Sequence, residues 1–310
     1  MTMTTIDRPL ISTVIPLYKS KRWVPDIIRN IEGINYEPSE IIISDRHGLD
    51  DAIDIIEEHF EQDDRVTCIR SSDGADWVSN IDFLLRYAKG KYWRMMPHDD
   101  IFESCDLEVM QKIFAEHDDL IVIYGPVQAI DLEGNPIGHR TLLEPKPPLG
   151  YPLTLSNSVL VNYHNYFNGA FKGLVDREKI ERHGAWIRKT VHLMNSERCW
   201  LFALSLLGRF HFYEDFHYTK RYFNESTSAS WRFTLRNQLS VASTHAQYLW
   251  HLGHRFTFGQ KLVGTVTLLG LAVRFILLVK LRSSAKAQFF LTNYPGRKWK
   301  DRWLAYIDDA

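Results

Sequence analysis

Two adjacent carboxylates, Asp99 and Asp100, end a short apolar and aromatic run that begins at Tyr92. Two acids at the end of a buried strand cost free energy unless a positive charge neutralises them. Mg²⁺ or Mn²⁺ would do so, because hard divalent cations prefer oxygen ligands and bridge to phosphates. The alternative is a solvated acidic turn in which Asp100 is the N-cap of a helix that begins at Ile101. The pair alone leaves both interpretations open.

The elements that must position these acids alternate in type along the first 125 residues. Such alternation with short connections is typical of βαβ units and a mostly parallel sheet. In these sheets ligands bind beyond the carboxyl ends of the strands, where Asp45 and the acidic pair stand. Apolar runs and helical spacing predict strands at 11–15, 41–43, 66–69, 92–96 and 120–124, and helices at 23–34, 51–60, 77–88 and 107–114.

The composition of the 310 residues is that of an ordinary globular protein. Its three cysteines have no metal-type spacing, which predicts a reducing compartment without a disulfide framework. The N-terminus carries no secretory signal pattern, so we expect a cytoplasmic protein. Residues 138–152 are rich in proline and glycine and predict a connector, and residues 232–310 predict mainly helices.

The C-terminal third is basic, although the net charge of the whole chain is −1. From residue 220 onward there are 14 Lys and Arg against 4 Asp and Glu. This excess predicts contact with lipid headgroups, with a phosphate-bearing substrate or with the acidic body of the same protein. The apolar run 262–279 has the minimum length of a membrane span, and Trp299, Trp303 and Tyr306 stand among basic residues. We expect this region to lie on the inner membrane face; a buried packing helix and a true span are the alternatives.

Four motifs, in order along about 100 residues, resemble those of family-2 glycosyltransferases. They are Val14-Ile15-Pro16-Leu17-Tyr18, Ile41 to Gly48 with Asp50 and Asp51, Asn80 with Ala88-Lys89-Gly90-Lys91-Tyr92, and the acid Asp99. A looser match continues through segments 168–172, 183–186, 196–202 and 220–228. The resemblance implies an α/β GT-A fold with a mostly parallel central sheet and a mainly helical C-terminal extension. Its expected parts are a donor half (1–137), an acceptor half (138–231) and a basic extension (232–310).

The resemblance also implies which residues bind the donor and a metal ion. Asp99 and Asp100 would hold Mn²⁺ or Mg²⁺, which would neutralise a leaving diphosphate. The donor-binding residues would be Pro16, Tyr18, Asp45, Arg46, Asn80 and His98. Tyr18 stacks on the base or is a core aromatic, and a structural role for Asn80 is the stronger alternative.

Two positions depart from the family pattern. Pro97 stands where the first acid of the metal motif is expected, which leaves Asp99 as the one well-aligned ligand. Arg46 replaces an acid that often contacts the base, so it would bind phosphate or pair with Asp45.

Glu197 is the candidate general base, because it precedes an apolar helix at the position where the family has an acid. Partial burial would raise its pKa, whereas the alternative is an exposed glutamate at a helix N-terminus. The predicted function is inverting transfer of a sugar from a nucleotide-diphosphate donor to a saccharide or lipid-linked acceptor, in cell-surface polysaccharide synthesis. A non-catalytic binding or assembly subunit and a nucleotidyltransferase are the alternatives, and no nucleic-acid partner is expected.

Overall fold

The computed structural model describes residues 8–104, 107–136, 169–223 and 234–282. The strands in these ranges are β1 (Ile11–Leu17), β2 (Ser39–Asp45), β3 (Val66–Arg70), β4 (Tyr92–Met95), β5 (Ile101–Ser104), β6 (Leu120–Tyr124), β7 (Val127–Ile130), β8 (Leu174–Asp176), β9 (Arg209–Phe212) and β10 (His217–Arg221). The helices are α1 (Val24–Glu32), α2 (Ala52–His59), α3 (Trp77–Tyr87), α4 (Leu107–Glu116), α5 (Arg177–His183), α6 (Ser196–Ser205), α7 (Leu235–Leu252) and α8 (Phe258–Arg282).

The main sheet has seven strands in the order β3-β2-β1-β4-β8-β6-β9. Strands β3, β2, β1 and β4 are parallel neighbours, and β8 runs antiparallel between β4 and β6. The carboxyl ends of β1, β2 and β4 therefore meet at one edge. A second sheet, in the order β5-β10-β7, lies beyond the end of β4.

Apolar layers cover both faces of the main sheet, which explains the continuous apolar runs in its central strands. Alternate residues of β2 point to opposite faces: Ile42 joins one cluster of buried residues, and Ile41 and Ile43 join the other. Helices α3, α6 and α7 pack in the first cluster, whereas α1, α2 and α4 pack in the second. The predicted strand and helix alternation and the mostly parallel sheet are confirmed.

One of the alternatives left open by the sequence is wrong. Residues 101–104 form a strand, so Asp100 is not the N-cap of a helix that begins at Ile101. The strand pairs antiparallel with β10, which lies more than 100 residues later in the chain. This pairing has no local sequence signal.

The C-terminal extension is helical where the structure describes it. Helix α8 contains the apolar run 262–279, and the ranges given above include no helix that is long and apolar enough to span a membrane. The predicted connector 138–152 and the aromatic residues Trp299, Trp303 and Tyr306 lie outside the described residues.

Candidate active site at the strand ends

The carboxyl ends of the three central parallel strands bring four predicted site residues together. The ring of Tyr18, just after β1, meets the ring of His47 edge-on at 5.0 Å between centroids. Nδ1 of His98 lies 3.0 Å from the carbonyl oxygen of Pro16, which joins the turn after β4 to the end of β1. Tyr18 is about half exposed, so its ring is accessible and the alternative of a core aromatic is wrong.

Asp45 shapes the turn that follows β2. Its Oδ1 accepts hydrogen bonds from the backbone amides of His47, at 2.9 Å, and Gly48, at 3.0 Å. Gly48 has φ of +59°, a left-handed conformation that favours glycine. Asn80 supports the same strand end from α3, because its Oδ1 accepts a 2.8 Å hydrogen bond from the Ser44 hydroxyl. Asn80 is buried, so its position supports the structural alternative.

Arg46 forms an ion pair that the sequence did not predict. Its guanidinium donates from Nε to Oδ1 of Asp73 at 2.9 Å, makes a second bond to Oδ2 of the same residue, and lies 4.8 Å from the ring centroid of Phe83. The Arg46 guanidinium lowers the pKa of Asp73 to about 2. The predicted pairing of Arg46 with Asp45 is wrong, because Arg46 reaches towards α3 and the loop after β3 instead.

Asp100 is an anchor between the two sheets. Its carboxylate accepts a hydrogen bond from the Tyr218 hydroxyl and a 2.9 Å bond from the backbone amide of Arg221. Nδ2 of Asn30 donates to its carbonyl oxygen at 2.9 Å. Burial, with the neighbouring charge of Asp99 as the second cause, raises the pKa of Asp100 to about 7. Both carboxylate oxygens are therefore engaged inside the protein.

Asp99 differs from its neighbour. Its carboxylate is partly exposed and has no hydrogen bond or ion pair with any residue that the structure describes. Its backbone carbonyl accepts a 2.9 Å hydrogen bond from Arg221, whose guanidinium also bonds Oδ2 of Asp26 at 3.0 Å and lies 4.4 Å from the ring centroid of Trp23. Arg221 thus fixes the backbone of this turn and leaves the Asp99 side chain available.

The side chains around Asp99 do not form a cage of protein ligands for a divalent ion. Asp100 has both oxygens engaged, Pro97 supplies no ligand, and one nitrogen of His98 contacts a carbonyl group. In the described part of the chain, no three His, Cys, Asp or Glu side chains are grouped to hold a metal. Asp99 alone fits a carboxylate ligand, so any ion there would take its other ligands from phosphates and water.

Glu197, from the other half of the chain, shares the electrostatic neighbours Lys172 and Lys220 with the acidic turn. It lies in the first turn of α6, whose residues 199–205 are all buried. Its Oε2 is buried and has no hydrogen-bond partner among the residues that the structure describes. Burial raises the pKa of Glu197 above its ordinary value, against the opposing charges of Arg198 and Lys172. An unpartnered carboxylate with a raised pKa has the properties of a general base.

Two lysines to which the sequence interpretation gave no role form a charged cluster with Asp99, Asp100 and Glu197. Lys172 ends the 3₁₀ turn Gly169–Lys172, and Lys220 lies on β10. Burial and the charge of Lys220 lower the pKa of Lys172 to about 8, and Lys172 also interacts electrostatically with Asp100, Glu197 and Asp99. The site therefore combines two sheets, α6 and a short turn. The only sequence signal was that both lysines lie in segments of the looser family match.

The surface also has an open cleft of about 310 Å³ beside α3, away from this cluster. Its lining includes Arg46, Phe83 and Lys189, but none of Asp99, Glu197 or Lys172. The cleft borders the turn after β2, so it touches only one of the predicted donor-binding residues.

The chain is similar in sequence to known proteins. Residues 12–184, more than half of the chain, match the family model described as Glycosyl transferase family 2. Glycosyltransferase GlyG of Streptococcus pneumoniae is 27% identical over 128 residues, which are 41% of this chain and 42% of that protein. Chondroitin synthase of Escherichia coli is 27% identical over 132 residues, 42% of this chain and 19% of that protein. The matched part thus spans less than half the length of these relatives.

Solved structures share the fold. TarS of S. aureus in complex with UDP-GlcNAc aligns with a TM-score of 0.62 at 14% identity, over 86% of this chain and 73% of that chain. The mannosyltransferase PcManGT of Pyrobaculum calidifontis, solved with GDP-Man and Mn²⁺, aligns with a TM-score of 0.52 at 13% identity, over 95% and 84% of the two chains. Identities this low show a common fold and do not show which substrate this chain uses.

Proposed function

Because the chain belongs to glycosyl transferase family 2, we propose that it moves a sugar, with inversion, from a nucleotide-diphosphate donor to a saccharide or lipid-linked acceptor. The observation that carries this proposal is the unpartnered, buried Oε2 of Glu197 beside the cluster that contains Asp99. The similarity to chondroitin synthase supports an acceptor in polysaccharide synthesis. Family membership favours sugar transfer over nucleotidyl transfer.

Glu197 would act as the general base. It takes the proton of the acceptor hydroxyl while that oxygen forms a bond to the anomeric carbon. The bond from this carbon to the diphosphate oxygen breaks on the opposite side, and the nucleoside diphosphate leaves with the electron pair. The anomeric configuration is inverted because attack and departure are in line. The packing of α6 in the core would hold the carboxylate in place.

The donor would lie across the ends of β1, β2 and β4. The exposed ring of Tyr18 is suited to stacking on a base, next to the turn that Asp45 organises. The structures solved with UDP-GlcNAc and with GDP-Man support a nucleotide-sugar donor as a class. Mn²⁺ or Mg²⁺ with Asp99 as its one protein ligand stays a prediction, and it would add positive charge near the phosphates when bound.

The test is the release of nucleoside diphosphate from a panel of nucleotide sugars, each with Mn²⁺, with Mg²⁺ and with EDTA. We expect one donor class to be consumed, and Glu197→Gln to abolish the consumption. Glu178→Gln, on the exposed face of α5, is the matched control that should retain the wild-type rate. Turnover that is equal in wild type and Glu197→Gln would overturn the assignment of the base.

A non-catalytic subunit is the second candidate, and one observation favours it. The carboxylate of Asp100 is occupied by Tyr218 and Arg221, and Pro97 removes a further acid, so the metal motif is reduced to Asp99. If the protein binds nucleoside diphosphates but consumes no donor of the panel, this second candidate replaces the first.

We further propose that the C-terminal extension places the protein on the inner face of the membrane. The exposed apolar side chains of α8 recur every three or four residues, at Phe258, Leu262, Val266, Leu269 and Val273. This spacing puts them along one stripe of the helix. The excess of basic residues after position 220 would add attraction to anionic lipids.

Co-sedimentation with lipid vesicles tests this placement. We expect binding to vesicles that contain phosphatidylglycerol, weaker binding to pure phosphatidylcholine, and release at about 0.5 M salt, where the Debye length is short. Leu262→Ser with Val266→Ser should weaken binding, whereas Thr267→Ser on the same exposed helix should not. Equal sedimentation with both vesicle types and with all variants would contradict the proposal.

A further inference from the structure

Lys172 and Lys220 are two cations that lie close to aromatic rings in a largely enclosed site. Neither ammonium group has a hydrogen bond or an ion pair with a residue that the structure describes; their neighbours are aromatic rings. The Lys172 ammonium lies 5.1 Å from the ring centroid of Phe171 and 5.9 Å from that of Tyr218, and Lys220 lies 4.7 Å from that of Tyr222. Placing two like charges near one another in such a site costs free energy unless an anion joins them.

The acids of the cluster do not pair directly with these lysines. Both carboxylate oxygens of Asp100 accept hydrogen bonds, one from the Tyr218 hydroxyl and one from the backbone amide of Arg221. Asp99 and Glu197 interact with Lys172 electrostatically, but neither carboxylate comes within ion-pair distance of its ammonium group. The two ammonium groups therefore have no direct anionic partner among the described residues, which fits a ligand that carries negative charge.

Both lysines are attached to rigid elements. Phe171, next to Lys172, packs edge-on against Trp200 at 5.7 Å and against Trp77 at 6.4 Å between ring centroids. Lys220 lies on β10, whose register with β7 pairs it with Ala129. Charges that are held in place before the reaction stabilise a developing anion without reorganisation.

We propose that Lys172 and Lys220 bind the diphosphate of the donor directly and neutralise it as it leaves, without a divalent ion. This inference rests on the proposed function. When the bond between the anomeric carbon and the phosphate oxygen breaks, the electron pair stays on that oxygen, where the two ammonium groups stabilise the added charge. Lysine is suited to this role because its ammonium is a compact point charge that binds phosphate. The inference also accounts for a site in which Asp99 is the only available acid of the metal motif.

The test is calorimetric titration of the full chain with UDP, GDP and dTDP in EDTA and again in Mn²⁺. We expect at least one diphosphate to bind in EDTA, with about tenfold or greater weakening in Lys172→Met and in Lys220→Met. Lys112→Met, on the exposed face of α4, is the matched control and should bind like the wild type. The matching nucleoside should bind all variants equally, because it lacks the phosphates.

Inorganic pyrophosphate in EDTA, titrated into the wild-type protein, keeps the test independent of whether the variants fold. Binding that weakens with added salt supports the inference. Binding of a nucleoside diphosphate only with Mn²⁺, or equal binding by wild type and both variants, overturns it and leaves the proposed function intact. Failure of every nucleoside diphosphate to bind under either condition overturns the proposed function as well.

Discussion

The carboxylate of Asp100 accepts a hydrogen bond from the hydroxyl of Tyr218, and this bond ties the turn after β4 to the second sheet. Asp99, the adjacent residue, keeps its carboxylate free of any partner among the described residues. Two neighbouring acids of one motif thus have different environments. Asp100 stabilises the backbone around the site, whereas Asp99 is available to a ligand.

This division predicts that two neighbouring substitutions change the stability by different amounts. Asp100→Ala should lower the free energy of unfolding by about 2–4 kcal/mol, because it leaves a buried hydroxyl and a buried amide unpaired. Asp99→Ala should change it by less than about 0.5 kcal/mol, since that carboxylate makes no such bond. Urea denaturation measures both values. Equal stability of the two variants would show that Asp100 is not an anchor.

Glu197→Gln should separate binding from chemistry. The amide keeps the shape of the side chain but cannot accept a proton, so we expect the transfer rate to fall by about 10²- to 10⁴-fold. Affinity for the donor should stay near the wild-type value, because Glu197 is assigned to the acceptor. Single-turnover kinetics and donor titration measure the two quantities. A large loss of donor affinity with an unchanged rate would reverse this assignment.

The pH dependence of the rate follows from the raised pKa of Glu197. A general base must be unprotonated, so activity should be lost as the pH falls through this pKa. Because burial shifts the pKa upward, the loss should begin at a higher pH than for an ordinary glutamate, whose pKa is about 4.3. The profile of kcat/KM against pH measures this loss of activity. The residual activity of Glu197→Gln should not show the acid-side decrease.

The sequence patterns predicted the elements whose signals are local. The run Ile41 to Ile43 is buried on both faces, and Asp45 and Asp99 lie at the ends of β2 and β4, the two strands that flank β1. The patterns failed where distant segments meet. β5 depends on its pairing with β10, and Lys172 becomes a site residue only because its turn packs between the sheet and α6. Arg46 pairs with Asp73 for a similar reason. The two residues are 27 positions apart in the sequence, and the fold brings them together.

Gly90 is required by a close approach between β1 and the chain that enters β4. A Cβ at this position would lie 2.7 Å from the backbone nitrogen of Ser12 and 2.8 Å from the carbonyl oxygen of Leu10. Gly90→Ala should therefore destabilise the protein by about 1–3 kcal/mol through overpacking. Gly259→Ala is the matched control, because nothing lies within 4 Å of the added carbon. Thermal unfolding of the two variants checks the difference, and equal melting temperatures would contradict it.

His245 should make stability depend on pH in the acid range. The ring is buried between α6 and α7, with Nδ1 at 2.7 Å from the carbonyl oxygen of Val241, and in the described part of the chain Nε2 has no hydrogen-bond partner. Burial lowers the pKa of His245 to about 4, whereas an unfolded histidine titrates near 6.5. Between these values the unfolded state binds more protons, so the free energy of unfolding should fall as the pH is lowered. The stabilisation that depends on the neutral ring of His245 is complete above about pH 6.5. Up to about 3 kcal/mol of the free energy of unfolding should be lost by about pH 4.

Urea denaturation at pH 7 and pH 5 tests the contribution of His245. The quantity compared is the slope of stability against pH, taken from the denaturation midpoints at the two pH values. His245→Gln cannot titrate, so its stability should depend less on pH than that of the wild type, whatever its stability at neutral pH. His254→Gln is the matched control, because this exposed histidine lies in the turn after α7. An unchanged slope in His245→Gln would mean that the acid sensitivity arises from other groups, such as the paired carboxylates.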